Sequence, residues 1–201
     1  MRYVCGKTCC ILLILSWLLP LSSWHLFKDR NASAAIVEYL TLRDLTLKAN
    51  LIVYGTCKET ISVLDKKEKR IFTYISIVPD RCFEGEECPS LIKIKQLGGV
   101  VGNLVMRIPG TPNFSPNEKV ILFLSEAGRG YYQVLGMSQG KFSVIGLANG
   151  TNPYVKRDLT YLTFLEKDGQ SSQLHELSEL EQDMALATLI ERIESYLGTR
   201  R

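Results

Sequence analysis

Ser138 lies in Gly136-Met-Ser-Gln-Gly140, the G-x-S-x-G spacing of a nucleophile elbow, and Asp158 or Asp168 followed by His175 continues the Ser, Asp, His order of α/β-hydrolases. The chemistry implied is acyl transfer, in which a base takes the hydroxyl proton as the serine oxygen attacks a carbonyl. An elbow needs a strand before it and a helix after it on a largely parallel sheet. Here Lys141-Phe-Ser-Val-Ile145 reads as a second strand, and there is little β-α-β alternation. The segment therefore reads as a glycine-rich hairpin turn, with a small serine hydrolase using Ser138 kept as an alternative and no residue assigned as catalytic.

Cysteine supplies the second chemistry. Cys82 and Cys88 bracket Phe-Glu-Gly-Glu-Glu, a short loop that an oxidising compartment would close with a disulfide. Cys57 is then left over, although the sequence also permits it to pair with either of the others. A metal held by two thiolates and Glu84, Glu86 or Glu87 is the competing reading, but the spacing is not C-x₂-C and His175 is distant. No metal is assigned. Gly98-Gly99-Val-Val-Gly102 is neither a dinucleotide fingerprint nor a P-loop, and neither H-E-x-x-H nor an EF-hand spacing occurs, so no cofactor is expected.

Compartment and charge follow from the N-terminus. Arg2 and Lys7 precede an apolar run from Ile11 to Leu19, apolar character continues patchily to Phe27, and Ala32-Ser33-Ala34 forms an A-x-A site. This is the layout of a signal peptide over residues 1–34, cleaved before Ala35, with an uncleaved membrane anchor as the alternative. Setting aside Arg2, Lys7, Lys28, Arg30 and Asp29 leaves 20 basic and 20 acidic residues of the 24 and 21 in the chain. An exported, uncharged chain argues against a nucleic-acid partner. The expected location is secreted, periplasmic or in the cell envelope.

The elements that would position these residues read as mainly β. Thr41 with Asp44 three residues on marks a short helix, and Leu51 to Val63 a strand bent at Gly55. Asp65 to Arg70 is a charged hairpin tip. Ile71 to Val78 alternates, with Ile71, Thr73, Ile75 and Ile77 on one face, and Pro79 is expected to stop it. Ile92 and Ile94 alternate with Lys93 and Lys95. The stretch from Gly98 to Leu124 carries a turn, a strand to Ile108 and a Pro109–Pro112 stop, then Val120-Ile-Leu-Phe-Leu124, an apolar run suited to burial on both faces. Tyr131 to Leu135 and Lys141 to Ile145 flank the Ser138 turn. Asn149-Gly150 and Asn152-Pro153 mark a turn, and Tyr154 to Leu165 is a less regular arm with room for another strand. Ser178 with Glu181 makes a capping box before a stripe from Leu180 to Leu197 at helical spacing.

The fold expected is a small antiparallel, OB-like barrel or sandwich with a short N-terminal helix and a C-terminal amphipathic helix packed on it. The barrel spans residues 35–170 and the terminal helix lies within 171–201. On such a barrel Tyr131, Tyr132 and Phe142 are candidates for an aromatic binding face toward a sugar or a peptide.

The succession Ala49-Asn-Leu-Ile-Val-Tyr-Gly55, Ile71-Phe-Thr-Tyr74, Leu91-Ile-Lys-Ile-Lys95 with Gly98-Gly99, Gly110-Thr-Pro-Asn-Phe114, Val120 to Leu124 and Gln139-Gly-Lys-Phe142 resembles a group of uncharacterised exported bacterial proteins over roughly residues 40 to 146. The layout is also similar to the netrin-like modules of tissue inhibitors of metalloproteinases, which are OB-type barrels. That likeness implies an inhibitor or accessory protein of an extracellular protease. Those inhibitors bind the protease zinc through an N-terminal Cys-x-Cys. The mature chain here would start Ala35-Ile-Val37, so those residues do not carry over. The reading of the whole is an exported non-enzymatic module that binds a protein partner.

Overall fold

The computed structural model describes residues 34–85, 87–146, 152–165, 171–172 and 183–199. The leader up to Ser33 of its A-x-A cleavage site, Glu86, Asn149-Gly150, Asp168, His175 and the Ser178–Glu181 capping box lie outside the described residues.

Strand β1 (Ala35–Glu38) leads into helix α1 (Leu42–Lys48). The Thr41 hydroxyl accepts from the Asp44 amide while the Asp44 carboxylate accepts from the Thr41 amide, so two donors of the first turn are satisfied reciprocally. β2 (Leu51–Asp65) and β3 (Arg70–Glu84) form a long hairpin, followed by β4 (Ile92–Leu97) and the small hairpin of β5 (Gly99–Val101) and β6 (Leu104–Met106). β7 (Lys119–Gly128), β8 (Tyr131–Val134), a 3-10 turn (Met137–Gly140) and β9 (Lys141–Ile145) come next. Then follow β10 (Tyr154–Lys156), β11 (Leu162–Leu165), β12 (Ser171–Ser172), β13 (Asp183–Ala185) and helix α2 (Leu186–Gly198).

The main sheet has eight strands in the order β13-β10-β9-β7-β2-β3-β4-β8, and β8 also pairs with β7. Five strands therefore form a partial ring, β7-β2-β3-β4-β8 and back to β7, in which β4 and β8 meet in parallel at one pair, Ile94 with Tyr132. The fold is mainly β, as expected, but the main sheet is mixed where an antiparallel one was expected, because β4 and β8 pair in parallel, and in the separate sheet β1-β11-β12 strand β1 runs parallel to β11.

β7 explains this architecture. All five residues from Val120 to Leu124 are fully buried. Alternation sends Val120, Leu122 and Leu124 into one apolar cluster with Val53, Ile75, Ile77, Ile92 and Ile94, the interior of the ring. Ile121 and Phe123 enter a second cluster with Ile52, Phe142, Val155 and residues of both helices. A run without polar positions thus needs cover on both sides, and the ring supplies one side and the helices the other.

Three local expectations change. β3 continues through Pro79 to Glu84, because Pro79 stands opposite Gly55 at a register shift, where a missing amide donor disrupts no regular ladder. Gly55 is needed at the same crossing: a Cβ there would lie 2.6 Å from the Val78 carbonyl oxygen. Gly99 opens strand β5, and the expected turn falls at its far end, at Gly102-Asn103, before β6, which ends at Met106, short of Ile108. A Cβ on Gly99 would meet the Ser62 and Thr73 hydroxyls at 2.4 Å, so glycine lets β5 lie directly on the β2-β3 hairpin. α2 begins at Leu186, not near Leu180, because Asp183–Ala185 is used as an edge strand against β10, placing Met184 opposite Val155. Tyr154 to Leu165 holds two strands, β10 and β11.

The Ser138 segment also differs. β8 and β9 both run antiparallel to β7, with Val134 opposite Leu124 and Lys141 opposite Leu122. They lie end to end on one edge of β7, and residues 135–140 loop out of a single strand line where a hairpin turn was expected. The Leu135 amide donating to the Phe123 carbonyl closes the base of that loop.

Candidate functional site

Two regions combine accessible chemistry with definite geometry. The first is the bare outer face of the ring. Cross-strand pairs Ile61 with Tyr74 and Val63 with Phe72 continue to Lys95 and Leu97 on β4. Directly opposed residues share a face. These side chains project away from the interior that Ile75 and Ile94 fill. Ile61 is 51% exposed and Val63 46%. Lys95 lies over the Phe72 ring at 4.0 Å, and Tyr131 stands 5.6 Å from Tyr74. On the other side of the β2-β3 end, the β5-β6 hairpin leaves Val100, Leu104 and Val105 more than half exposed. The turn joining β2 and β3 adds Lys66, Lys67, Lys69 and Arg70, all exposed. Asp65 shapes that turn by accepting from the Lys67 and Glu68 amides, and the bond from Glu68 lowers its carboxyl pKa.

The three expected aromatics do not form one face. Tyr131 faces outward beside Tyr74. Tyr132, its neighbour on the strand, packs against the ring interior. Phe142 is 1% exposed and packs on Phe123 at 5.7 Å in the helix-covered cluster. The binding-face assignment for Phe142 is therefore corrected: it is opposite Ile121 on β7, whose neighbourhood α1 and α2 cover. Phe72 and Tyr74, which sequence reading placed on one strand face but not in a site, take its place.

The second region is a cavity of about 210 Å³ lined by residues 110–113, 115, 118, 138, 141, 143, 158 and 161. Lys141 and Ser143 stand opposite Leu122 and Val120, on the interior face of β9. The Lys141 ammonium donates to Glu118 Oε1 at 2.5 Å and to Ser143 Oγ at 2.9 Å, and Ser143 Oγ donates to the same carboxylate oxygen at 2.6 Å. The Ser115 amide donates to Glu118 Oε2. A buried cation is thus neutralised where it stands, which is the condition for keeping it there.

Ser138 lies in the cavity wall. Its amide donates to the Gly110 carbonyl, but its buried hydroxyl has no hydrogen-bond partner, so no base is in bonding contact with it among the described residues. Strand β9 follows it, where an elbow would have a helix. Its neighbour Gln139 does the structural work of this loop, accepting from the Leu40 amide at 2.8 Å and donating to the Glu38 carbonyl at 3.0 Å. Asp158 instead accepts from the amide and hydroxyl of Thr160.

The cysteines resolve as follows. Cys82 and Cys88 are joined, with a Cα separation of 5.7 Å. Cys57 is free and fully buried beside the ring core. Burial pushes its thiol pKa up, and the nearby Glu118 carboxylate adds to the effect. Among the described residues no group of three or more His, Cys, Asp or Glu side chains is placed to hold a metal. Ala35 heads β1, its amide donating to the Tyr161 carbonyl at 2.9 Å.

No protein-family model matches the chain, and none of the curated proteins matches it significantly.

Proposed function

We propose that the protein is an exported, non-enzymatic module built on an OB-like barrel, and that the bare outer face of β2, β3, β4 and β8 docks a protein partner. The observation that carries this is the ladder Ile61, Val63, Phe72, Tyr74, Leu97 and Tyr131. Here Ile61 and Val63 are exposed and the other four half-buried, while the neighbouring outer surface of the same sheet is covered by α1 and α2. Contiguous accessible apolar surface rimmed by polar groups marks interaction sites, and aromatic anchors dominate the energetics of protein interfaces. Lys93, Lys95 and the basic turn at 66–70 favour a partner with an acidic rim. The Cys82–Cys88 disulfide is consistent with an oxidising, extracytoplasmic location.

The test is the double substitution Ile61→Lys with Val63→Lys, made at exposed positions so that folding is spared. Wild-type protein immobilised against the exported fraction of its own cells is expected to retain a stoichiometric partner. The double variant is expected to lose that partner while melting within a few degrees of wild type. Equal retention by both proteins, or by neither, would sink the reading.

A further inference from the structure

We propose that the cavity between the Gly110–Ser115 loop, β9 and the Asp158–Tyr161 turn is a binding site for one polyhydroxylated ring of a saccharide. It lies apart from the outer face and does not depend on that face having a partner.

Lys141 is matched by Glu118 within the wall, and Ser143 spends its proton on the same carboxylate. The inner wall is therefore polar but compensated, which favours a neutral ligand over an ion. Around it stand the Ser115 hydroxyl and the Asn113 amide, which both donate and accept, and the Thr111 hydroxyl, which gives its proton to the Ile108 carbonyl and keeps acceptor capacity. The Asp158 carboxylate keeps Oδ1 on Thr160, leaving Oδ2 to accept from a ligand. At the mouth Tyr161 is 55% exposed, an aromatic body with a polar tip. A ring whose edge is hydroxyls and whose face is C–H groups satisfies both kinds of wall at once. The volume of about 210 Å³ falls below the range of drug-sized pockets and suits a single ring.

The rigidity of the site supports binding over accidental space. Lys141 and Ser143 sit on a strand inside the main sheet, and the Ser138 loop is tied by the Gln139 side chain to the exit of β1. A cavity held in this way is ready for a ligand without reordering its walls.

Saturation-transfer NMR on the folded chain, with N-acetylglucosamine, glucose and galactose and their β-1,4-linked disaccharides, tests the proposal. At least one sugar is expected to receive saturation on its ring protons, with an affinity in the millimolar range. Tyr161→Ala and Asp158→Asn, the latter keeping an acceptor for Thr160, should each weaken binding by about fivefold or more, the worth of one good contact. Ile61→Lys with Val63→Lys should leave it unchanged. Tighter binding of a disaccharide than of its monomer assigns the site to a glycan chain, and equal binding assigns it to a free sugar. The proposal fails if no sugar receives saturation, or if transfer survives both cavity substitutions undiminished.

Discussion

Cys57 shows how much the placement of one residue decides. Its thiol is sealed in the ring core, and burial, with Glu118 nearby, raises its pKa. An acid whose folded pKa is raised resists ionisation only in the folded state. Stability is therefore unaffected below the unfolded thiol value of about 8.5, and falls as pH climbs from there toward the raised value. The chain is expected to lose stability above that point more steeply than Cys57→Ala does, measured by urea unfolding from pH 7 to 10. A thiol reagent should not label Cys57 in the native chain and should label it on unfolding; rapid native labelling would show the ring to be open. The Cys82–Cys88 bridge was legible from five intervening residues including a glycine. That Cys57 stays single was not, because its isolation depends on β2 burying position 57 in the ring.

At the scale of elements, periodicity gave the strands but not their neighbours. The apolar run from Val120 to Leu124 announces burial on both faces, and Thr41 with Asp44 announces a helix start, because each signal is local. Nothing local tells that β8 and β9 share an edge of β7. The same glycines and polar residues would serve a hairpin, which brings Tyr131 and Phe142 together, whereas the fold puts them on differently covered surfaces. The cavity was illegible for a related reason. Glu118 and Lys141 are 23 positions apart and meet only because β7 and β9 pair. α2 was legible as an amphipathic stripe, and Leu186, Leu189 and Ile193 are buried against the cluster shared with α1. Leu189→Ala or Ile193→Ala is expected to destabilise the fold by about 2 to 5 kcal/mol. Glu194→Ala, which breaks an ion pair to Arg81 that is about half exposed, should cost no more than about 1 kcal/mol. Denaturant unfolding measures both, and equal small effects would mean that α2 does not hold the core.

Across the whole molecule, cover is distributed unevenly, and this predicts how the structure opens. The ring interior and the helix-covered cluster share β7 and so stand or fall together. The sheet β1-β11-β12 pairs with neither, and its apolar cluster is small: Leu159, Leu162 and Phe164, with Ala35, Val37, Tyr39 and Met137 against them. Regions with few buried apolar contacts open at lower free energy than the core. Besides its pairing with β11 and the packing of Val37 and Tyr39 on Phe164 and its neighbours, β1 is tied down by the buried Gln139 side chain, which holds both the Glu38 carbonyl and the Leu40 amide. Gln139→Leu keeps the bulk but leaves those two backbone groups without that partner, at a cost of about 1 to 3 kcal/mol for each group left buried. Because the loss falls on the outlying sheet, amide exchange should accelerate at Ile36, Val37, Glu38 and Leu40 while Ile121 to Leu124 keep their protection. Hydrogen exchange followed by NMR reads the two sets in one experiment. If β7 loses protection in step with β1, the outlying sheet is part of the same cooperative unit as the ring; if neither changes, Gln139 does not anchor the N-terminal strand.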